Sequence, residues 1–247
     1  MREERIHLKE VLFAASLILI LWQTLSILMQ HHALPAPLSV FKELIAMSNS
    51  QLIKHFLASL YRLIVSVSVS ISIAVPFGML LGRSQKINQI FAPMLYLLYP
   101  LPKVSLLPIL LIFCGVGDLS KMVLIFLIIF FQILMTTRDA SKGVDERYLT
   151  SVRSLGASEW DILIHVLIPA CLPHIFSALR VSLGIGISVL FLTETYATNL
   201  GLGYLIMDAL TRFNYVQVFA GVIAMSSMGL ALFLCVDWIE RRTCPWL

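Results

Sequence analysis

Charge is scarce in this chain: Asp, Glu, Lys and Arg make up 13% of 247 residues, about half the share of an ordinary soluble domain. That shortage argues against a water-soluble fold. Cysteine offers no frame either. Cys114, Cys171, Cys235 and Cys244 are scattered through mostly apolar surroundings with no C-x-x-C pair, so they read as small hydrophobes rather than as disulfides or metal ligands. No G-x-x-x-x-G-K-[ST] loop is present, and this chain therefore cannot cradle nucleotide phosphates itself. No H-E-x-x-H occurs, and His31, His32, His55, His165 and His174 fall at no metal or triad spacing, which argues against an intramembrane enzyme. The formal net charge is only +4; its placement, not its sum, carries information, and no nucleic-acid patch is implied.

What the chain has is apolar length. Hydrophobic residues reach 59% and gather in runs of about 20, the length that crosses a hydrocarbon core. The runs are continuous rather than alternating, so the class is an all-α membrane protein and not a barrel. Six transmembrane helices are expected, near Val11–Met29, Phe56–Leu81, Ile90–Cys114, Met122–Thr136, Pro173–Thr195 and Val216–Ile239. The first has no cleavage site after it and is read as a retained span. Residues 1–30 thus form a cytoplasmic N-terminus with its span, and 31–247 a five-span core. Ser39–Met47 reads as an interfacial amphipathic helix, and a short helix is expected within GLGYLIMDALTRFNY between the last two spans.

Positive charge fixes the orientation. With the N-terminus inside, eleven of the eighteen Lys and Arg residues fall on cytoplasmic segments. Lys42, Lys54, Lys121 and Arg212 fall outside, and Arg62, Lys103 and Arg180 within spans. That bias predicts N-in and C-in, with an even number of spans.

One stretch breaks the apolar pattern. Nine charged residues lie between Arg138 and Asp161, in a cytoplasmic segment taken as 138–169. Asp145–Leu155 has helix spacing, with Tyr148, Leu149, Val152 and Leu155 on one apolar face. Gly156 supplies a positive-φ stop, and Ser158 with Asp161 forms a capping box that starts a second helix. Pro169 and Pro173 are expected to break or kink that helix at the membrane boundary. Either this is a protruding helix–turn–helix for a partner, or a solvated loop packed on itself.

The stretch Gly156–Pro169, G-x9-V-L-I-P, resembles the cytoplasmic signature of binding-protein-dependent ABC importer permeases, E-A-A-x3-G-x9-I-x-L-P. Gly156 and Pro169 stand in place, Val166 and Ile168 occupy the two apolar positions, and Thr150-Ser151-Val152 replaces the E-A-A triplet. Further pieces in the same order resemble the nitrate/sulfonate/taurine branch: LPAPLSVFKEL, HFLASLYRLIVSVSVSISIAVPFGMLLGRS, YPLPKVSLLPILLIFCGVGDLSKM and LTETYATNLGLGYLI. The resemblance implies a type I ABC importer permease fold in a bacterial or archaeal inner membrane. It also implies a homodimer, two cytoplasmic ATPase subunits that bind the ATP, and an extracytoplasmic solute-binding protein. This permease would itself hold no cofactor or metal. The segment 138–169 would be the coupling loop, with Tyr148, Leu149, Ser151, Val152, Arg153, Leu155, Gly156, Ala157 and Pro169 at the ATPase. Cargo is expected to be a small anion such as nitrate, sulfonate or taurine, with a vitamin precursor or small aromatic compound as the alternative.

Ionisable residues within spans need partners. Arg62 and Glu194 have opposite sign and similar depth and are expected to pair, the alternative being that each snorkels separately. Arg180 either snorkels inward or pairs with Asp139. Lys103, with Pro102 and Ser105 beside it, lies in the proline-broken third span, where irregular backbone must face protein or a watery cavity. It either draws an anion along the path or satisfies freed carbonyls. Gly78 and Gly82 are expected to permit close helix packing, and Ser66, Ser68, Ser70 and Ser72 to make helix–helix hydrogen bonds.

Overall fold

The structure is a computed structural model that describes residues 8–47 and 51–246. Arg2 and Arg5, which weigh in the orientation argument, lie outside them. Every regular element among the described residues is a helix: α1 Leu8–Met29, α2 Pro37–Met47, α3 Gln51–Arg83, α4 Gln85–Leu98, α5 Leu107–Cys114 and α6 Asp118–Gly143. Then come α7 Glu146–Ser154, α8 Glu159–Ile162, α9 Ile168–Glu194, α10 Leu202–Thr211 and α11 Tyr215–Thr243.

Among the described residues four helical stretches are long and apolar enough to cross a membrane: Gln51–Arg83, Asp118–Gly143, Glu159–Glu194 and Tyr215–Thr243. Helices α4 and α5 form a fifth only as a bent pair, turning by 81°. The bend falls where the sequence puts Pro100 and Pro102, which lack the N–H that a continuing helix needs. In α1 the apolar part Phe13–Met29 is shorter. Pro76 and Pro173 lie inside α3 and α9, so of the expected break or kink at Pro173 a break does not occur.

The chain divides into two compact units. One comprises residues up to Ser59 with Glu194–Met228. There the Trp22 ring stacks on Phe219 at 5.5 Å, and its Nε1–H donates to the Pro35 carbonyl at 3.1 Å. Gln217 donates to Glu43 at 2.9 Å, tying α11 to α2.

The other unit comprises Leu60–Thr193 and Gly229–Trp246. Its spine is a seam between α3 and α6. The Ser66 hydroxyl lies 3.0 Å from the Met122 carbonyl and that of Ser70 3.3 Å from the Phe126 carbonyl. Further along, a methyl on Gly78 would lie 2.9 Å from the Leu134 carbonyl oxygen, and one on Gly82 2.6 Å from that of Arg138. Each contact joins residues 56 apart in the chain. A constant difference means that the two helices run parallel, which requires one crossing between them. Small residues every fourth position let the backbones approach this closely. Ser66, Ser70 and Ser72 each have an acceptor in their own helix, the carbonyls of Arg62, Ser66 and Ser68 at 2.7, 2.7 and 2.8 Å, and of the three Ser66 and Ser70 also face a carbonyl across the seam.

Candidate functional site

The charged segment folds as a helix–turn–helix whose local grammar is complete. Asp145 caps α7 by accepting from the Arg147 N–H at 2.9 Å. It also pairs with the Arg147 guanidinium at 2.8 Å, and these two bonds hold its carboxyl below the usual carboxylate range. At the other end the Gly156 N–H donates to the Arg153 carbonyl and the Ala157 N–H to that of Val152. That is a Schellman motif, and it places Gly156 at φ +91°, where a side chain would be strained. Ser158 and Asp161 exchange both bonds of a capping box, which starts α8. Arg153 then holds Glu159 through two bonds of 2.9 and 3.1 Å. Arg83, the last residue of α3, reaches Glu146 at 2.6 Å.

The turn that follows widens before entering α9. Leu163–Leu167 form a π-turn in which the Ile168 N–H donates to the Leu163 carbonyl. Pro169 stands directly after it. Its ring would crowd the carbonyl of His165 in a regular α-helix, and a local π-bulge relieves that clash.

The apolar face of α7 is oriented differently from the sequence expectation. Leu149 is fully buried with Ile162 and Leu167, flanked by Val144, Val152, Ala157 and Val166. Leu149 and Val152 therefore hold the hairpin together and are not free to anchor a partner. Tyr148 and Leu155 are exposed at 68% and 87%, and Trp160 joins them at 67%. Trp160 was missed because the apolar pattern of α7 alone does not extend to the start of α8. Ser151 lies on the exposed side, its hydroxyl donating to the Arg147 carbonyl. Arg153, expected at the ATPase, is engaged with Glu159.

Within the apolar helices each charge has a defined setting. Arg62 is 2% exposed and reaches Asp118 at 2.6 Å, a partner the sequence did not suggest. Glu194 is fully buried. The Ser59 hydroxyl lies 2.8 Å from both of its oxygens, and the Gly203 N–H donates to one at 2.9 Å. Arg180 resolves in favour of neither expectation: it pairs with Asp237 at 2.7 Å and also with Glu240, while Asp139 pairs with Arg138. Lys121, assigned to an outer segment by sequence, is buried at 1% and donates to the Gly117 carbonyl. At the 81° bend, Lys103 donates to the Tyr99 carbonyl at 2.8 Å, and Ser105 donates to that of Pro102 at 2.7 Å. Among the described residues no cluster of His, Cys, Asp or Glu could hold a metal ion.

Comparison with known proteins agrees with this geometry. Residues 74–244 match the model of the family described as binding-protein-dependent transport system inner membrane component. The taurine transport system permease protein TauC of Escherichia coli is 32% identical over 219 residues, 86% of this chain and 80% of its own. The putative aliphatic sulfonates transport permease protein SsuC of Bacillus subtilis is 30% identical, covering 95% of this chain and 86% of its own. Among solved structures, an inward-facing MetNI methionine ABC transporter matches with a TM-score of 0.66 at 18% identity, over 78% of this chain and 95% of that one; it supports the fold. The chain belongs to the family of inner-membrane components of binding-protein-dependent transport systems, in the branch that includes the taurine and aliphatic-sulfonate permeases, and is a multi-pass membrane protein.

Proposed function

We propose that this chain is the permease subunit of an ATP-driven importer for small sulfonate-type anions. Two copies form the translocation path, each docked on a separate cytoplasmic ATPase, and an extracytoplasmic binding protein delivers the cargo. The six spans are α1, α3, the α4–α5 pair, α6, α9 and α11, with both termini cytoplasmic. The charge bias and the parallel course of α3 and α6 support that topology.

The observation that carries this reading is the hairpin of α7 and α8. It is closed on its own small core, tied to α3 by Arg83–Glu146, and shows Tyr148, Leu155 and Trp160 to its surroundings. A pre-formed protrusion with aromatic anchors suits docking into a cleft, because little order has to be imposed on binding. The names of the taurine and sulfonate relatives support the cargo class. ATP hydrolysis belongs to the partner, since this chain has no phosphate-binding loop.

The test is reconstitution in proteoliposomes with the ATPase and binding protein encoded nearby. ATP-dependent uptake of labelled taurine or ethanesulfonate is the expected result. Uptake that persists without the ATPase, or an ATPase that ignores the permease, would remove the importer reading.

A further inference from the structure

Lys103 differs from four arginines placed on the helices of its own unit. Arg62, Arg83, Arg138 and Arg180 each hold a carboxylate within 2.6–2.8 Å. The half-buried ammonium of Lys103 meets only the Tyr99 carbonyl and two aromatic faces, Phe131 at 4.6 Å and Tyr99 at 5.4 Å from the ring centres. Among the described residues it has no carboxylate partner. The ammonium is only partly desolvated, and with no carboxylate beside it the site is open to an anion.

A second donor stands at the same corner. The Tyr99 hydroxyl donates to Gln132 Oε1 at 3.2 Å, which turns that carbonyl away from any anion. The Gln132 Nε2 amide has no partner among the described residues. Tyr99 thus holds both groups: its carbonyl positions the ammonium and its hydroxyl orients the amide. Tyr99 also lines an apolar recess of about 370 Å³ together with Tyr96, Leu97, Pro100 and Met135, at the small end of ligand-sized cavities.

We propose that Lys103, Gln132 and Tyr99 form an anion station on the transport path, taking the sulfonate headgroup while the recess takes a short alkyl chain. The inference rests on the sulfonate reading above and assigns it a place in the chain. Without cargo the ammonium rests on the rings and one carbonyl. An arriving sulfonate displaces only these contacts, with no carboxylate to compete. The same weakness lets the anion leave again, as a transport path requires. The 81° bend makes the station possible, since it brings the ammonium back onto the Tyr99 carbonyl.

Two measurements on the reconstituted transporter test this. In the first, labelling of Lys103 by a small amine-reactive acylating reagent is followed by mass spectrometry, with ethanesulfonate or the neutral dimethyl sulfone present. Ethanesulfonate should slow labelling at least about fivefold and the sulfone should not; equal rates with both overturn the station. In the second, taurine uptake is compared across variants. Lys103→Gln should lower it by about tenfold or more and Lys103→Arg should restore most of it. Gln132→Leu, which removes no charge, should give an intermediate loss. Wild-type uptake in Lys103→Gln overturns the proposal. Sulfonate protection of Lys103 in a transporter that imports no sulfonate would keep the station and overturn the cargo reading instead.

Discussion

Gly201 should tolerate no side chain, and the structure gives the size of the effect. It sits between α9 and α10 at φ 130° and ψ 159°, a region that only glycine occupies readily. A methyl there would lie 2.3 Å from Glu194 Cδ and 2.5 Å from both carboxylate oxygens. Backbone strain alone costs about 1–3 kcal/mol. To make room, the carboxylate must leave the Ser59 hydroxyl and the Gly203 N–H, and each charge-assisted bond in a buried site contributes about 1.5–3 kcal/mol. Gly201→Ala should therefore cost about 4 kcal/mol or more, a large share of a marginal total. In a protein of this size that corresponds to a fall in melting temperature of about 8 °C or more.

Gly156→Ala is the control. Its φ is also positive, at +91°, but a methyl would meet nothing within 4 Å, so only the left-handed strain of about 1–2 kcal/mol applies. Thermal unfolding of the detergent-purified protein, followed by size-exclusion chromatography, reads both variants. A Gly201→Ala protein melting within about 2 °C of wild type would refute the reasoning, as would equal losses in the two variants.

Other perturbations follow from the same contacts. Leu149→Ala should cost about 2–5 kcal/mol and speed hydrogen exchange across 145–167 while α3 and α6 keep their protection; unchanged exchange would mean that the hairpin core is not what orders it. Gly82→Val should prevent α3 from seating on α6, because the atom it meets at 2.6 Å is a backbone carbonyl that cannot rotate away. Gly184→Ala, with open space around it, should be neutral or slightly stabilising, and a reversed order of these two in melting temperature would contradict the packing. For Arg62 and Glu194, expected from sequence to pair, Arg62→Ala and Glu194→Ala should each impair assembly and their combination should be less severe than additive. Strict additivity would dismiss that pairing.

How much of this was legible beforehand depended on whether a feature is local. The caps at Gly156 and Ser158 were readable because each is completed by residues within five positions, whereas Asp145 was read only as the first residue of its helix and not as its cap. Gly78, Gly82, Ser66 and Ser70 could be read as close-packing residues, but their partner helix could not, since nothing in one sequence marks a 56-residue offset. Arg180 met the same limit: Asp237 and Glu240 lie 57 and 60 residues away, and Asp139 looked as good. The face of α7 failed for another reason. Periodicity identified Tyr148, Leu149, Val152 and Leu155 as apolar, but it cannot say whether such a face awaits a partner or packs on its own neighbour. Here α8 and the π-turn supply Ile162 and Leu167, which claim Leu149 and Val152 and leave Tyr148 and Leu155 outside.

The seam that the sequence could not pair also runs from the Arg62–Asp118 bridge to the charged hairpin. Arg62 and Asp118 are themselves 56 residues apart, so their bridge continues the register of Ser66–Met122, Ser70–Phe126, Gly78–Leu134 and Gly82–Arg138. At the opposite end, Arg83 binds Glu146 and Ser141 donates to the Met79 carbonyl. Helices that approach this closely at Gly78 and Gly82 cannot slide past each other without driving backbone carbonyls into the glycine sites. The α3–α6 pair is therefore one rigid body with the charged hairpin attached at its end. If the hairpin docks on an ATPase as proposed, a displacement imposed on Tyr148, Leu155 and Trp160 would be carried along this pair towards Arg62 and Asp118. Bending is left to elements outside the seam: the 81° turn at Lys103 and the π-turn before Pro169.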